Sequence, residues 1–400
     1  MRPCRLVPLI ILLAFACSAA AQNLTPKERL GKLLFFDENL SARGNQSCAT
    51  CHGSKVGWTG PDEHINKGGG VYEASTPGLF GNRKPPSTAY ATQAPMLRLV
   101  QAARGIFVGG HFWDGRATGE KLGSAAADQA LGPFLNPLEQ ALPDAKALVS
   151  KVCAGAYAAL FKEVWGPTAC DDVERAYGNI GLAIAAYEAS SEVNAFSSKY
   201  DAYLAGKAEL TAEERLGMTL FSGKGRCAGC HPSRRGPKGE PPLFTDFTYD
   251  NVGVPANPAN PFYANLGANP EGKAWVDEGL GGFLGETEKH RAHAAANRGK
   301  HKVPTLRNVD LRPSPDFVKC FGHNGYFKSL EQIVHFYNTR LTLPVCGGAN
   351  QKAGIDCWPA PEVRENINVI ELGNLSLAPD EERAIVAFLR TLSDGYAAGK

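Results

Sequence analysis

Apolar residues recur at helical spacing in four segments of the chain, and these segments form two similar pairs. The first members, "TPKERLGKLLF" (25–35) and "TAEERLGMTLF" (211–221), share Thr, Glu-Arg-Leu-Gly and Leu-Phe at matching positions. In each, a Thr stands three residues before a Glu, which is the reciprocal capping box that begins a helix. The second members, 171–189 and 379–392, place apolar residues three and four apart. The pattern therefore predicts one helical unit that occurs twice.

Long segments with little periodicity and much Gly and Pro separate the predicted helices, such as 66–88 and 234–261. Gly (44) and Pro (27) make up about 18% of the 400 residues, which is below the ~25–30% typical of disordered chains. Few segments have the pattern of a strand. We therefore expect a mainly α fold of two lobes with long loops, each wrapped around a large group, with domains at 22–205 and 206–400.

Each predicted unit has one Cys-x-x-Cys-His pentad after its first helix. The spacing alone is compatible with zinc, with thiol–disulfide exchange, with ordinary disulfides, or with covalent attachment of a c-type haem. Structural zinc needs about four ligands close together, and thioredoxin-like redox pairs need no following His. A c-type haem explains both cysteines, the histidine and the repeat together. The pentad residues are Cys48, Cys51 and His52 in the first unit, and Cys227, Cys230 and His231 in the second.

The pentads thus predict two covalently bound haems, with the four cysteines as thioether donors and the two histidines as proximal iron ligands. The remaining cysteines beyond the first 21 residues could form two short-range disulfides in an oxidising compartment, with Cys320 unpaired. These pairs would be Cys153 with Cys170 and Cys346 with Cys357.

Residues 1–21 have the pattern of a secretory signal peptide, because Arg2 and Arg5 precede an apolar run that ends in small residues. Cys17 leaves a lipoprotein anchor as the alternative. No later apolar run reaches the ~18 residues of a membrane span, so we expect a periplasmic protein without one. Beyond the signal peptide, 40 basic residues balance 40 acidic ones, which argues against nucleic acid as the main partner.

With these pentads, the chain resembles the bacterial di-haem cytochrome c peroxidase/MauG superfamily along essentially its whole mature length. The resemblance implies two cytochrome c-like lobes, with a peroxide-reactive haem in the first and a haem that holds oxidising equivalents in the second. The stretches that carry it are "GHFWDGRA" (110–117), "DQALGPFLNPLEQ" (128–140), "FTDFTYDNVGVP" (244–255), "HKVPTLRNVDL" (301–311) and "GHNGYFKSLEQIVHFYNTR" (322–340).

The residue that faces the second haem opposite its proximal histidine separates the branches of the superfamily. Ordinary members have Met there, and MauG has Tyr, at a set distance after the His of a His-x-Gly turn. Here His323 begins that turn and Tyr337 follows at that distance. The resemblance therefore implies a Tyr ligand, and a phenolate stabilises highly oxidised iron. The alternatives are a core role for Tyr337, and ligation by His335, which points to nearly the opposite side of a helix.

At the first haem, Asn82 falls where many members have a second His ligand, so the resemblance implies an open, five-coordinate iron. Gln129, Pro133 and Glu139 match the distal residues of MauG in type and spacing. Peroxide chemistry needs such a set, because a carboxyl group moves a proton between the two oxygens and an amide orients the bound ligand. Trp113 matches the indole that relays electrons between the two haems.

The superfamily also binds calcium between its haems. An Asn of that site corresponds to Tyr90 here, and two carbonyl donors correspond to Val318 and Cys320. The backbone carbonyls could still serve, so one Ca²⁺ ion is left as an open expectation.

The resemblance implies a MauG-like enzyme that uses H₂O₂ to form a high-valent di-haem state and oxidises an aromatic side chain, a tryptophan, of a partner protein. Six extra residues between Trp113 and Gln129, and Gly225 in place of a surface Trp of MauG, favour relatives of MbnH, the methanobactin-associated MauG homologue. The alternatives are a cytochrome c peroxidase that reduces H₂O₂ with electrons from a small cytochrome c or cupredoxin, and a simple electron carrier. Glu139 argues against the carrier, and Tyr337 argues against the ordinary peroxidase.

Overall fold

The computed structural model describes residues 24–348 and 350–397, so the predicted signal peptide, residues 1–21, lies outside the described part. The regular structure is mostly helical and is joined by long loops, which confirms the predicted mainly α fold. The α-helices are α1 (Pro26–Phe36), α2 (Cys48–Cys51), α3 (Glu63–Lys67), α4 (Ala125–Leu135), α5 (Ala145–Ala154), α6 (Ala158–Trp165), α7 (Val173–Ala189), α8 (Lys199–Leu204), α9 (Ala212–Ser222), α10 (Gly279–Glu286), α11 (Leu330–Thr339) and α12 (Pro379–Arg390).

Two small antiparallel ribbons accompany the helices. Strand β1 (Arg98–Gln101) pairs with β2 (Ile106–Val108), and β3 (Tyr249–Asp250) pairs with β4 (His301–Lys302). None of the helices within the described residues is long and apolar enough to cross a membrane.

Helices α1 and α9 begin with the two predicted capping boxes. The Thr25 hydroxyl accepts from the Glu28 backbone N–H at 3.3 Å, and the Glu28 carboxylate accepts from the Thr25 N–H at 2.7 Å. Thr211 and Glu214 repeat the exchange at 3.2 and 2.7 Å. Each box satisfies backbone donors that the first turn of a helix leaves unpaired. The repeated sequence therefore produces a repeated helix start.

In each half, a glycine lies where two helices cross. A methyl group on Gly31 of α1 would overlap the Ala183 carbonyl oxygen of α7, and one on Gly217 of α9 would overlap the Ala384 carbonyl oxygen of α12. Because glycine has no side chain, the two backbones can approach this closely. The same crossing therefore fixes the helix pair in both copies of the unit.

Two separate apolar clusters surround these crossings. One contains buried residues from Leu30 to Val193, and the other contains buried residues from Tyr200 to Leu392. This arrangement agrees with two lobes, whereas a domain boundary between residues 205 and 206 stays a prediction.

Both expected disulfides are present and are therefore confirmed. Cys153 at the end of α5 is bonded to Cys170 in the loop before α7, and Cys346 is bonded to Cys357. Cys320 is a free, buried thiol, as expected.

Two lysines, Lys319 and Lys328, connect the two halves of the chain. Lys319 is only 4% exposed, and burial lowers the pKa of its ammonium group to about 7. Lys319 and Lys328 each donate to three backbone carbonyl oxygens drawn from both halves of the chain, and so satisfy acceptors in loops and at the ends of short helices. These carbonyls belong to Val56, Asn308 and Leu311 for Lys319, at 2.9–3.0 Å, and to Asn66, Gly68 and Gly325 for Lys328, at 2.6–2.8 Å.

Replacing Gly31 or Gly217 with Ala should each destabilise the protein by about 1–3 kcal/mol, because the new methyl group forces two packed helices apart. Denaturant unfolding of the haem-loaded protein measures the change. Gly285→Ala in α10 is the matched control, since the nearest atom to its added methyl group is 3.8 Å away. It should be neutral or stabilising by up to about 1 kcal/mol. Equal stability of all three variants would show that the crossings tolerate a side chain.

Candidate functional site

The pentad of the N-terminal half places three functional groups in one cavity. Cys48 and Cys51 bracket helix α2, and His52 follows directly. The Nδ1 atom of His52 lies 3.2 Å from the Trp58 carbonyl oxygen, and donation there leaves Nε2 free as a ligand. Burial lowers the pKa of His52 to about 4. The ring is therefore neutral at physiological pH, as iron binding requires.

The pentad of the C-terminal half has the same arrangement in a second cavity. Cys227 and Cys230 line it together with His231, whose Nδ1 lies 2.8 Å from the Phe244 carbonyl oxygen. Burial lowers the pKa of His231 as well. None of the four pentad cysteines is in a disulfide, so all four thiols are available for thioether bonds. Each cavity therefore fits a c-type haem.

The predicted peroxide residues lie together in the N-terminal cavity. Gln129 and Pro133 belong to α4, and Glu139 lies in the turn after it; all three line the cavity that contains His52. The Asn136 side-chain amide donates to the Glu139 carboxylate at 2.8 Å. Burial raises the pKa of Glu139, although Arg116 and Asn136 favour its ionised form. A carboxyl group and an amide therefore face the same space, as predicted.

The position expected to lack a second histidine also lies in this cavity. Asn82 is part of the lining, whereas His64 is exposed on α3 and is not part of it. Among the described residues that line the N-terminal cavity, His52 is thus the one histidine.

Tyr337 lies in the C-terminal cavity together with His231. It is on α11, and burial raises the pKa of its hydroxyl group. The rival His335 points elsewhere, because its Nδ1 is 3.0 Å from the Glu382 carboxylate. Met218 packs in the apolar cluster, and neither it nor the half-exposed Met96 lines the cavity.

Trp113 borders both cavities. Its indole N–H donates to the Lys84 carbonyl oxygen at 2.8 Å, and it lies in a turn closed by pairing of His111 with Ala117. The same turn recurs in the C-terminal half, closed by Phe321 and Phe327, and there His323 occupies the position of Trp113. The duplication therefore places an indole and an imidazole at equivalent points.

A network of ion-paired side chains, which the sequence did not predict, lies beside Trp113. Arg83 binds Asp277 through two nitrogens at 2.6 Å and Asp114 at 2.5 Å. Asp277 also lies 3.2 Å from His301, whose ring stacks on that of His323 at 3.5 Å. Because both Asp277 oxygens bind Arg83 and the two rings are parallel, these ligand-type residues do not form a metal site. Sequence spacing could not predict this network, because its residues come from distant loops.

The residues expected to bind calcium have other partners. The Tyr90 hydroxyl donates to Asp394 at 2.6 Å, and the Val318 carbonyl accepts from the Asn66 amide at 3.2 Å. Calcium takes six to eight oxygen ligands, some of which can be waters. One Ca²⁺ ion at these residues therefore stays a prediction.

Glu188 is a further cavity residue that the sequence reading missed. It lies on α7 and lines the N-terminal cavity, although it is only 5% exposed. The signal was present, because Glu188 is one helical turn after Ile184 on the otherwise apolar face of α7.

Two pentads in two cavities, with an indole between them, define a two-haem oxidoreductase of the cytochrome c type. The chain belongs to the di-haem cytochrome c peroxidase family, which includes MauG. The family model "Di-haem cytochrome c peroxidase" matches residues 25–209. The methylamine utilization protein MauG of Paracoccus denitrificans (strain Pd 1222) is 35% identical over 396 residues, covering 97% of this chain and 94% of that protein. The protein is therefore a haem-dependent peroxidase.

Other relatives are named either as peroxidases or as MauG-like proteins. The cytochrome c551 peroxidase of Nitrosomonas europaea is 29% identical and covers 91% of this chain and 79% of its own length. The crystal structure of the diheme peroxidase BthA from Burkholderia thailandensis E264 has a TM-score of 0.76 at 32% identity, covering 93% of this chain and 87% of that one. A MauG-like protein associated with microbial copper homeostasis has a TM-score of 0.62 at 24% identity, covering 93% and 91%, and supports the fold alone.

The intact mass of the haem-loaded protein should exceed that of its polypeptide by two haems. Cys227→Ala with Cys230→Ala should remove one haem from the denatured protein and leave the other attached, because thioether bonds survive unfolding. Mass spectrometry after acid denaturation measures this. Cys320→Ala is the control and should retain both haems. A single haem on the unaltered protein would contradict the assignment of both cavities.

Proposed function

We propose that this protein is a MauG-like peroxidase of the periplasm, which uses H₂O₂ to oxidise an aromatic side chain, a tryptophan, of a partner protein. The observation that carries the proposal is the position of Tyr337, which shares the C-terminal cavity with His231, while no Met of the described residues lines that cavity. A phenolate favours oxidised iron, whereas Met favours the reduced state. The second site is thus built to hold oxidising equivalents rather than to receive electrons.

When bound, the two haems supply irons that react with peroxide and hold two oxidising equivalents. The chain's own residues manage the peroxide. Gln129 orients it through its amide, and Pro133 occupies the helix turn beside it. Glu139 takes a proton from one peroxide oxygen and returns it to the other, a role for which its buried position and raised pKa suit it.

Trp113 is placed to pass electrons between the two sites, because it borders both cavities. The partner of its indole N–H is a backbone carbonyl oxygen, which is not a base. An oxidised indole would therefore keep its proton and could be reduced again without proton transfer. This property suits a relay rather than a final site of modification.

A second candidate function is reduction of H₂O₂ to water with electrons from a small cytochrome c or cupredoxin. The 29% identity to a cytochrome c551 peroxidase over most of the chain favours it. Tyr337 separates the two functions, since a Met at this position would suit an electron-accepting haem. The MbnH-like branch, favoured by Gly225 in place of a surface tryptophan, stays part of the proposal, and the partner is an unidentified periplasmic protein.

Glu139→Gln should slow the reaction with H₂O₂ by about 10²–10⁴-fold, because one general acid/base is lost. The amide keeps the shape of the side chain, so both haem spectra should stay near normal. Stopped-flow absorption at several peroxide concentrations gives the rate. Glu163→Gln, an exposed carboxyl on α6, should react like the parent. An unchanged rate for Glu139→Gln would make Glu139 a structural residue.

Adding H₂O₂ to the fully ferric protein, without prior reduction, should give a long-lived state that holds two oxidising equivalents. Tyr337→His should bind both haems but lose this state, because a neutral imidazole replaces the phenolate. Stopped-flow absorption, Mössbauer spectroscopy and reductive titration measure it. Tyr326→Phe, outside the cavity, is the control. If the ferric wild type is inert until an electron donor is supplied, the peroxide-reducing function replaces the proposal.

A further inference from the structure

Glu188 is a buried carboxyl group with an unsatisfied oxygen. Its Oε2 atom has no hydrogen-bond partner, and the side chain is 5% exposed. It lines the same cavity as Glu139 and His52. Glu188 and Glu139 both raise the pKa of the Cys48 thiol, so both carboxyl groups lie near the Cys48 side of the cavity.

Two further oxygen atoms in this cavity also lack a hydrogen-bond partner. The amide oxygens of Gln46 and Gln140 are buried without a donor, and both residues line the cavity. The Gln46 amide nitrogen already donates to the Glu73 carbonyl oxygen at 2.9 Å. Buried acceptors without donors are costly, and an ionised Glu188 would add another acceptor. A neutral carboxylic acid, by contrast, supplies an O–H donor.

No cation in the cavity is paired with Glu188. Arg83 binds Asp114 and Asp277, and Arg116 binds Asp114 at 2.8 Å. The Lys84 ammonium donates to Thr59 and Pro85 at 2.8 and 3.0 Å. The titratable or charged residues that line the cavity with Glu188 are Cys48, Cys51, His52, Tyr72, Arg83, Lys84, Arg116 and Glu139.

The two carboxyl groups therefore have different environments. The ionised form of Glu139 is favoured by the Asn136 amide and by Arg116. Glu188 has neither kind of partner, and burial raises its pKa to about 8. When neighbouring environments favour different protonation states, one group suits the base and the other the acid.

We infer that Glu188 is the proton-loading residue of the N-terminal site: it carries into the cavity a proton that peroxide reduction consumes. The inference rests on the proposed function. The overall step is H₂O₂ + 2 e⁻ + 2 H⁺ → 2 H₂O. The O–O bond breaks, the electrons come from the partner or another reductant, and both protons come from solvent.

Glu139 alone cannot supply the two protons that the reaction consumes. Moving a proton from one peroxide oxygen to the other leaves the number of protons in the cavity unchanged. The two protons consumed have to enter a buried space. Neutral Glu188 gives its proton to a peroxide-derived oxygen, which leaves as water, and the carboxylate is protonated again from solvent, so the residue is unchanged after each transfer.

Glu188→Gln tests the inference in the haem-loaded protein, with Glu174→Gln, exposed in the first turn of the same helix, as the matched control. Both variants should form the peroxide-oxidised state at the parental rate when no donor is present. With H₂O₂ and ABTS, a small one-electron donor, turnover of Glu188→Gln should fall at least about ten-fold. Parental turnover should decline as the pH rises through about 8, where Glu188 ionises. The decline should be absent in Glu188→Gln.

A second measurement is independent of activity. The pKa of Glu188 in the folded protein lies above the unfolded value, so folding takes up a proton between the two values and stability falls as the pH rises towards about 8. Glu188→Gln should lose this part of the fall, and Glu174→Gln should keep it. Infrared difference spectra across the same pH range should show a protonated carboxyl band that only Glu188→Gln lacks.

The outcomes separate the inference from the function. A wild type that never reacts with peroxide removes the proposed function, whereas the stability and infrared measurements still decide the state of Glu188. A Glu188→Gln variant that matches Glu174→Gln in turnover and pH dependence overturns the inference. If Glu188→Gln does not load haem, Glu188→Asp replaces it. This variant keeps an acid and should retain a pH-dependent turnover, and a flat profile would count against the inference.

Discussion

The ion pairs of Arg83 are the interaction on which the rest of the molecule depends. This one guanidinium group, from the loop after the first pentad, binds Asp114 beside Trp113 and Asp277 from the other half. A buried ion pair contributes little net stability, but loss of one partner leaves a charge uncompensated and is strongly destabilising. These ion pairs therefore hold the two cavities, and the indole that both share, in a fixed relative position, together with an apolar cluster in which Leu97 and Phe107 pack against Leu280.

The two halves of the chain share one duplicated helical unit, but their cavities differ in chemistry. The capping boxes and the glycine crossings at Gly31 and Gly217 are the same in both halves. What differs is the set of other side chains that line each cavity. The N-terminal half presents carboxyl and amide groups on and after α4, and the C-terminal half presents Tyr337 on α11. The two halves thus share the same geometry for holding a haem, and a few residues in each cavity determine how that haem would react.

Local signals in the sequence predicted much of this arrangement, because capping boxes, pentads and helical periodicity are properties of neighbouring residues. The disulfides and the cavity positions of Glu139 and Tyr337 followed from spacing and from resemblance. Arg83 and Lys319 could not be predicted, since their partners lie up to 263 residues away in irregular loops. The calcium expectation stays a prediction, since oxygen donors from distant loops come together only after the loops are folded. The identity of a partner protein depends on surface residues and not on the fold.

The C-terminal cavity is not built by the C-terminal half alone. Gly57, Thr59, Lys84, Ser87 and Trp113 line it from the N-terminal half. A haem attached to Cys227 and Cys230 is therefore enclosed by residues that precede it in the chain by more than a hundred positions. The pocket of the second haem is therefore complete only when both halves of the chain are folded together, and the C-terminal half on its own would leave that haem partly uncovered.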